Sequence, residues 1–448
     1  MVRDAGQGRA VPRQPVHQRP RRSQALKGLE LTAGPLARAA VEQETARIFE
    51  VCDGCRRCFN LCPSFNTLFE RIDAHDGALG KLAAADHERI ADECYYCKLC
   101  YNHCPYTPPH QYEIDFPRLM IGWKKLQAQE GRARWRDRLL VRTDWIGTLG
   151  TLLAPLANWA NAQSWFRGLL HRVAGIHRDR QLVKFQEETF PHWFARTQDD
   201  RNRNVSSTEK VVLFSTCLVD YHSAEVGRAT VAVLEKNGVE VVRPEQQCCG
   251  MPHFDTGDIE TILNKAQANV AALKPWVDRG YDVIAPVPSC SLMLKREYPH
   301  LLPTDDVKLV ASRTFDVCEY LMKLKKRGRL DTTFPNRPGK IAYQIPCHLR
   351  DQNIGFKSRE LMELTGARVE VIERCSGHDG TWGVKVEFFD LSMKIAAKAV
   401  REVEAAQADL VVSDCPLSGV QLTQAAGGKP TLHPIEVIAQ AYGLPPSR

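Results

Sequence analysis

Two short stretches, Cys52–Pro63 (CDGCRRCFNLCP) and Cys94–Pro105 (CYYCKLCYNHCP), constrain this chain more than anything else in it. Each reads C-x2-C-x2-C-x3-C-P. Three cysteines at that interval fit one tight loop whose thiolates converge, while the fourth, on the helix that follows, points away toward the other copy. This is the spacing that holds [4Fe–4S] cubanes, and two copies predict two of them. The crossed reading groups Cys52, Cys55 and Cys58 with Cys104, and Cys94, Cys97 and Cys100 with Cys62. Pro63 and Pro105 turn the chain just after the last ligand, where proline spoils no helix interior. Structural zinc also uses x2-spaced cysteines, but in well-separated pairs rather than a repeated quartet with a trailing proline.

The chain has 448 residues and sixteen cysteines, half of them in the quartets and half spread over a large α/β region. That distribution indicates metal ligation in a reducing compartment, not a disulfide scaffold. The length predicts two to four domains. The net charge of +7 is mild and gathers in the N-terminal tail. Without a basic face carrying interleaved aromatics, nucleic-acid binding is not indicated. No apolar run is long enough for a transmembrane helix, and no secretory apolar region is visible. The expected location is cytoplasmic, with peripheral contact at the inner face of the cell membrane compatible with the middle of the chain.

Residues 1–40, rich in Arg, Gln and Pro, read as a disordered basic tail. From Val41 a helical pattern leads to the first cysteine loop, and residues 41–125 form a ferredoxin-type unit holding both motifs. His103, His110, Asp92 and Glu93 flank its ligands and read as solvated loop residues that at most tune a cluster. Residues 126–205 are a helical linker. Trp145, Leu149, Leu152, Leu153, Leu156 and Trp159 recur at three- and four-residue intervals, one apolar face broken near Pro155, and Leu169, Val173 and Ile176 continue it. The ordinary expectation is a helix packed on its neighbours; the alternative is a surface that lies on a membrane or docks a partner.

From residue 206 the pattern turns α/β. VVLFST leads to Cys217, a helix spans Ala224–Lys236, VEVVRP leads to Cys248-Cys249-Gly250, a helix covers Ile259–Val277, and YDVIAPVP leads to Ser289-Cys290. Residues 336–448 repeat this order: KIAYQIP to Cys347-His348, a helix over Ser358–Leu364, RVEVIE to Cys375-Ser376-Gly377, a helix over Asp390–Ala406, and DLVVSD to Cys415-Pro416. The chain is thus duplicated over 206–335 and 336–448, each cysteine just past the carboxyl end of a strand, where open α/β sheets collect ligands. In the first repeat Cys217, Cys248, Cys249 and Cys290 meet at one rim, enough thiolates for a further cluster. Buried core cysteine is the plain alternative, but two adjacent cysteines before a glycine imply a turn that brings both thiols to one site. The second repeat offers Cys347, Cys375 and Cys415, with Ser376 in the place of Cys249; His348 and His378 are nearby candidates to complete it, since mixed ligation occurs in iron–sulfur centres.

These residues together resemble the electron-transfer C subunits of anaerobic glycerol-3-phosphate dehydrogenases. More widely they resemble the iron–sulfur subunits of glycolate oxidase, of lactate-utilisation oxidoreductases and of heterodisulfide reductase, the cysteine-rich (CCG) family. The likeness runs from about residue 45 to the C-terminus through RTDWIGTLGTLLAPLAN, CCGMP, LKREYP, the PCH at Cys347, GTWG at 380–383 and DLVVSDCP. The fold class implied is α+β and α/β multidomain: an α-helical two-cluster ferredoxin-like domain, a helical middle segment and two duplicated α/β CCG repeats. The full family repeat pairs its cysteines in both halves and closes each with C-x-x-C. Here the closing segments are Cys290-Ser-Leu-Met293 and Cys415-Pro-Leu-Ser418, so both sites have fewer thiolates. CSGHDGTWG, with the CDGCRRCFNLCPSF start, also resembles a branch encoded beside rubrerythrin-like proteins.

The resemblance implies a non-flavin electron-transfer subunit. Electrons would enter from a flavoprotein dehydrogenase of glycerol-3-phosphate, glycolate or lactate type, cross two [4Fe–4S] clusters, and leave through the cysteine-rich module to quinone or another acceptor. No G-x-G-x-x-G follows a strand, so substrate oxidation is expected elsewhere. The alternative is a heterodisulfide-reductase-like or rubrerythrin-linked protein whose cysteine-rich module reduces a disulfide or peroxide near Cys249 or Cys375. A zinc-held structural scaffold is the non-redox reading.

Overall fold

A computed structural model describes residues 29–198, 209–378 and 380–445. Two four-stranded sheets, all parallel, carry the C-terminal half. The first comprises β1 (Glu209–Leu213), β2 (Val239–Val242), β3 (Asp282–Ala285) and β4 (Thr314–Asp316), in the order β2-β1-β3-β4. The second comprises β5 (Lys340–Gln344), β6 (Arg368–Ile372), β7 (Leu410–Val412) and β8 (Thr431–Leu432), in the order β6-β5-β7-β8. The identical order makes the duplication structural. Val211, Val212 and Leu213 in β1 and Val283, Ile284 and Ala285 in β3 are fully buried, as central parallel strands covered by helices on both faces must be. Helix Ala224–Lys236 has the bounds its pattern predicts. β4 and β8, of three and two residues, carry no run of branched apolar residues and were not anticipated.

The cysteine motifs lie among the helices Arg38–Cys55, Pro63–Ala74, Ala84–Asp92, Leu99–His103 and Phe116–Gln129. Phe49, Phe65, Phe69, Phe116 and Trp123 form their core. Cys62 directly precedes a helix that Pro63 opens, and Cys104 caps the end of helix Leu99–His103, so neither fourth cysteine lies inside the following helix as expected. Residues 1–28 of the expected basic tail lie outside the described residues. Its remainder is ordered: Leu31 is buried, and Lys125 Nζ donates to the Gly34 carbonyl at 2.8 Å. Three leucines in that stretch (Leu29, Leu31 and Leu36) pack into the cores, which a polar composition average conceals.

The middle segment forms helices Trp135–Leu140, Thr143–Leu152, Ala154–Ala162 and Ser164–Val173. The chain breaks at Leu153, with Pro155 in the first turn of the next helix. The face expected to pack inward points out instead: Trp145 is 59% exposed, Leu152 78% and Trp159 54%. The reason lies on the other side, where Gly147 seats against the Tyr221 ring and Gly150 against Phe185. Small residues let that face approach closely, and the bulky ones are left outside. Among the described residues no helix is long and apolar enough to cross a membrane. Beyond these helices the chain straps both repeats. His177 N–H bonds to Val384 O (2.8 Å) on the second, and Gln186 N–H to Tyr221 O (2.9 Å) on the first.

The second motif loop is driven into the seam between the repeats. Tyr96 stacks on Phe254 of the first repeat and Tyr95 packs on Trp382 of the second. Lys98 is ion-paired to Glu297 at 2.6 Å and to Asp351 at 3.0 Å, one carboxylate from each repeat.

Candidate metal centres

In each motif loop the residue after the second cysteine is left-handed, Arg56 with φ 50° and Lys98 with φ 59°. That twist curls the loop so that successive thiols face one point. One small cavity is lined by Cys52, Cys55, Cys58 and Cys104, and another by Cys62, Cys94, Cys97 and Cys100. The two quartets therefore cross-pair in space, as the motif reading groups them. Burial, then repulsion from neighbouring thiols, pushes Cys58 up to about 12 and raises Cys62 and Cys100 well above the ordinary thiol value. Four such sulfurs are poor free thiolates; a polynuclear iron cation would supply the charge that lets them ionise together. Glu93, expected to be solvated, is buried and accepts from Thr67 Oγ1. His103 Nε2 accepts from Arg57.

The first-repeat cysteines also converge. Cys217 and Cys248 sulfurs lie 3.7 Å apart, and Cys217, Cys248, Cys249 and Cys290 are all buried. Gly250, at φ 87°, makes the turn that sends both adjacent thiols to one side. Cys248 is central: hydrogen bonds from the thiols of Cys217 and Cys249 and from Thr143 Oγ1 (3.4 Å) hold it well below the ordinary value, while Cys217 and Cys249 rise. Asp144 accepts the Cys248 N–H at 3.3 Å and the Lys265 ammonium at 2.7 Å, anchoring helix Thr143–Leu152 to this turn.

A single cavity of about 560 Å³ joins this site to the second repeat. Cys217, Cys249, Cys290, Cys347, Cys375 and Cys415 line it, as does Cys97 of the inner quartet. Cys347 sits against both Cys375 and Cys97. Cys375 is drawn down to about 7 by hydrogen bonds from Cys347, from the Tyr95 hydroxyl (3.3 Å) and from the Gly377 N–H (3.3 Å). Ser376 and Ser418 stand where further thiols would be and hydrogen-bond each other at 3.0 Å. His348 is not a free ligand: Nδ1 bonds Ser289 Oγ at 2.8 Å and Nε2 bonds the Tyr96 carbonyl at 3.0 Å. It pins the two repeats and the motif loop together. His378 lines the cavity, and its buried Nδ1 has no hydrogen-bond partner among the described residues.

Two groups escaped the sequence reading. Tyr95 and Thr143, the donors to cluster-site sulfurs, carry no spacing signal, though CYYC is an unusual filling for a cysteine loop. Asp316, Cys318 and Asp414 form a buried constellation, with ligand atoms all within 4.8 Å of one another. It ties the end of β4 to the end of β7, and Asp414 accepts from the Tyr343 hydroxyl at 2.5 Å.

Comparison with known proteins agrees with this layout. Residues 211–295 and 341–423 each match the cysteine-rich domain family, CCG, and residues 45–130 match the Fer4-like domain of citrate utilization protein B. The C subunit of the anaerobic glycerol-3-phosphate dehydrogenase of Escherichia coli is 29% identical over 316 residues, 69% of this chain and 78% of that one. Lactate utilization protein A of Geobacillus thermodenitrificans is 32% identical over 219 residues, 46% of this chain and 87% of that one. The protein of the same name from Bacillus pumilus is 31% identical over 218 residues, with the same shares covered.

Proposed function

This chain belongs to the same family as lactate utilization protein A and carries two CCG cysteine-rich domains, and we propose that it carries electrons through iron–sulfur centres in a dehydrogenase system. The observation that supports this most is the position of Cys97. It belongs to the inner quartet and also lines the cavity between the repeats, beside Cys347. A centre on the inner quartet would therefore abut one held by the second repeat, and the first-repeat thiols open on the same cavity.

On this reading Cys52, Cys55, Cys58 and Cys104 would hold one cubane and Cys94, Cys97, Cys100 and Cys62 a second, with a flavoprotein of glycerol-3-phosphate, glycolate or lactate type as the electron source. Cys217, Cys248, Cys249 and Cys290 would hold a further cluster, and Cys347, Cys375 and Cys415 would contribute to another. Bound clusters supply one-electron storage; the protein fixes their spacing, buries them and donates hydrogen bonds to their sulfurs. The cavity wall of Trp145, Ile146, Phe166 and Leu170 suits an apolar acceptor such as a quinone. A rubrerythrin-like acceptor would dock outside.

The test is iron and acid-labile sulfide content of anaerobically purified protein, with electron paramagnetic resonance of both redox states. About eight irons would restrict metal to the motif quartets. About twelve or more, with a signal lost in Cys248→Ser, is the expected result. Oxidation of a small-molecule substrate by the purified chain alone would refute the division of labour. One observation favours the second reading, reduction of a disulfide or peroxide: Cys375 faces the cavity with its thiol drawn down to about 7. Unchanged turnover in Cys375→Ser would remove it.

A further inference from the structure

We infer that the second repeat binds its metal centre with three thiolates and one imidazole, His378 joining Cys347, Cys375 and Cys415. The inference rests on the proposal above that this repeat holds an iron–sulfur centre. Its thiol count is fixed by geometry: Ser376 and Ser418, at the positions where further cysteines would stand, are buried and bonded to each other. The repeat is one soft ligand short of the four that its sister presents.

His378 follows Cys375 by three residues, beyond the turn that Gly377 makes at φ 75°. Cys347, Cys375, Cys415 and His378 all line the one cavity. Among the described residues the buried Nδ1 of His378 is unpartnered, an expensive state for an imidazole that a bound metal centre would relieve. The rival histidine is excluded, because both ring nitrogens of His348 are engaged. Arg180 is buried close by, bonded to Ser392 Oγ at 2.8 Å and to the amides of Gln421 and Gln424, with no carboxylate in its hydrogen-bond set among the described residues. Its positive charge favours an anionic metal centre there.

Replacing a thiolate by a neutral imidazole removes one negative charge and raises a cluster's potential. The two repeats would then hold centres of unequal potential around one cavity. Electrons reaching it would settle first on the second repeat, the side that touches Cys97 through Cys347.

The experiment uses the full chain, purified anaerobically and iron-replete, in wild-type, Cys375→Ser, His378→Ala and His378→Cys forms. Pulsed electron paramagnetic resonance is run with natural-abundance and ¹⁵N-histidine-labelled protein. The expected result is a nitrogen coupling of directly bound strength that responds to the label, in a signal that Cys375→Ser abolishes. In His378→Cys that coupling vanishes, iron content holds, and the midpoint potential of the same signal falls. His378→Cys keeps a metal-binding side chain in place, so loss of coupling there cannot be put down to misfolding. A label-sensitive coupling that survives in His378→Cys overturns the assignment, as does a Cys375-dependent signal with no coupling. Iron content unchanged by Cys375→Ser also overturns it, but leaves the relay through the first repeat standing.

Discussion

Lys98→Met deletes one charge from the point where three parts of the molecule meet. The Lys98 ammonium lies 2.6 Å from Glu297 and 3.0 Å from Asp351, and the three side chains are 11%, 2% and 4% exposed. Burial works against the Glu297 carboxylate, and the charges of Lys98 and Arg118 override it, holding it below the usual range. After the substitution Glu297 keeps Arg118 at 3.8 Å and the Tyr96 hydroxyl at 3.0 Å. Asp351 loses its ion-pair partner. Removing one member of a buried pair costs about 3–5 kcal/mol, and the contacts left to Glu297 place the expected cost near the lower end. The assay is amide hydrogen exchange across the Cys94–Cys100 loop in iron-loaded protein. A weakening of about 3 kcal/mol speeds exchange through local opening by roughly a hundredfold. Because the Glu297 pKa is depressed, the stability it contributes is present above its unfolded value and lost as pH falls through the folded one. The gap between wild type and variant should therefore narrow below about pH 4. Adding Asp351→Asn should recover part of the loss. A cost below about 1 kcal/mol, the worth of a surface pair, would refute the reasoning.

Other perturbations test other joints. Burial, and then the charge of Asp414, raises Asp316 well above the usual carboxyl range; burial raises Asp414 to about 6 against hydrogen bonds from Ser358 and Tyr343. Raised folded values mean stability that is full below the unfolded pKa and lost as pH rises through about 6. Asp316→Asn should flatten the fall in thermal midpoint as pH rises from about 4 through about 6, and parallel curves would count against it. Gly257, at φ 66°, lies against the Lys125 backbone, so Gly257→Ala should cost about 2–4 kcal/mol by chemical denaturation. An unchanged midpoint would deny that this contact seats the motif helices on the first repeat. Ser376→Cys with Ser418→Cys returns two thiols to the second site. It should raise retained iron under chelator challenge, and a loss of iron relative to wild type would contradict the placement.

What the sequence disclosed follows from what each signal measures. Cysteine spacing is local geometry, so both quartets and their crossing were readable before any fold. The strands that lead to cysteines showed themselves by short runs rich in Val and Ile, even three-residue β7, whereas β4 (TFD) and β8 (TL) carry no such run. Periodicity located the stripe from Trp145 to Trp159 but not whether anything covers it. The signal for that lay in Gly147 and Gly150 on the opposite face. His348 and His378 look alike in sequence, each within three residues of a cysteine after a strand. Only the placement of Ser289 and the Tyr96 carbonyl, far away in the chain, separates the pinned ring from the unpartnered one. The seat of Tyr95 and Tyr96 between the repeats was equally hidden, since it depends on two surfaces formed hundreds of residues later.

That seat has a bearing on how the protein matures. Tyr95 and Tyr96 are each 4% exposed, and Cys94 and Cys100 beneath them 7% and 9%. If the quartet of Cys62, Cys94, Cys97 and Cys100 holds an iron–sulfur centre as proposed, a folded molecule offers a bulky delivery protein little of it, since only Cys97 opens on the cavity between the repeats. Loading would then be a matter of timing, with metal arriving while the newly made chain still stands open. Old and new copies in one cell would differ in what they carry after a spell of iron scarcity.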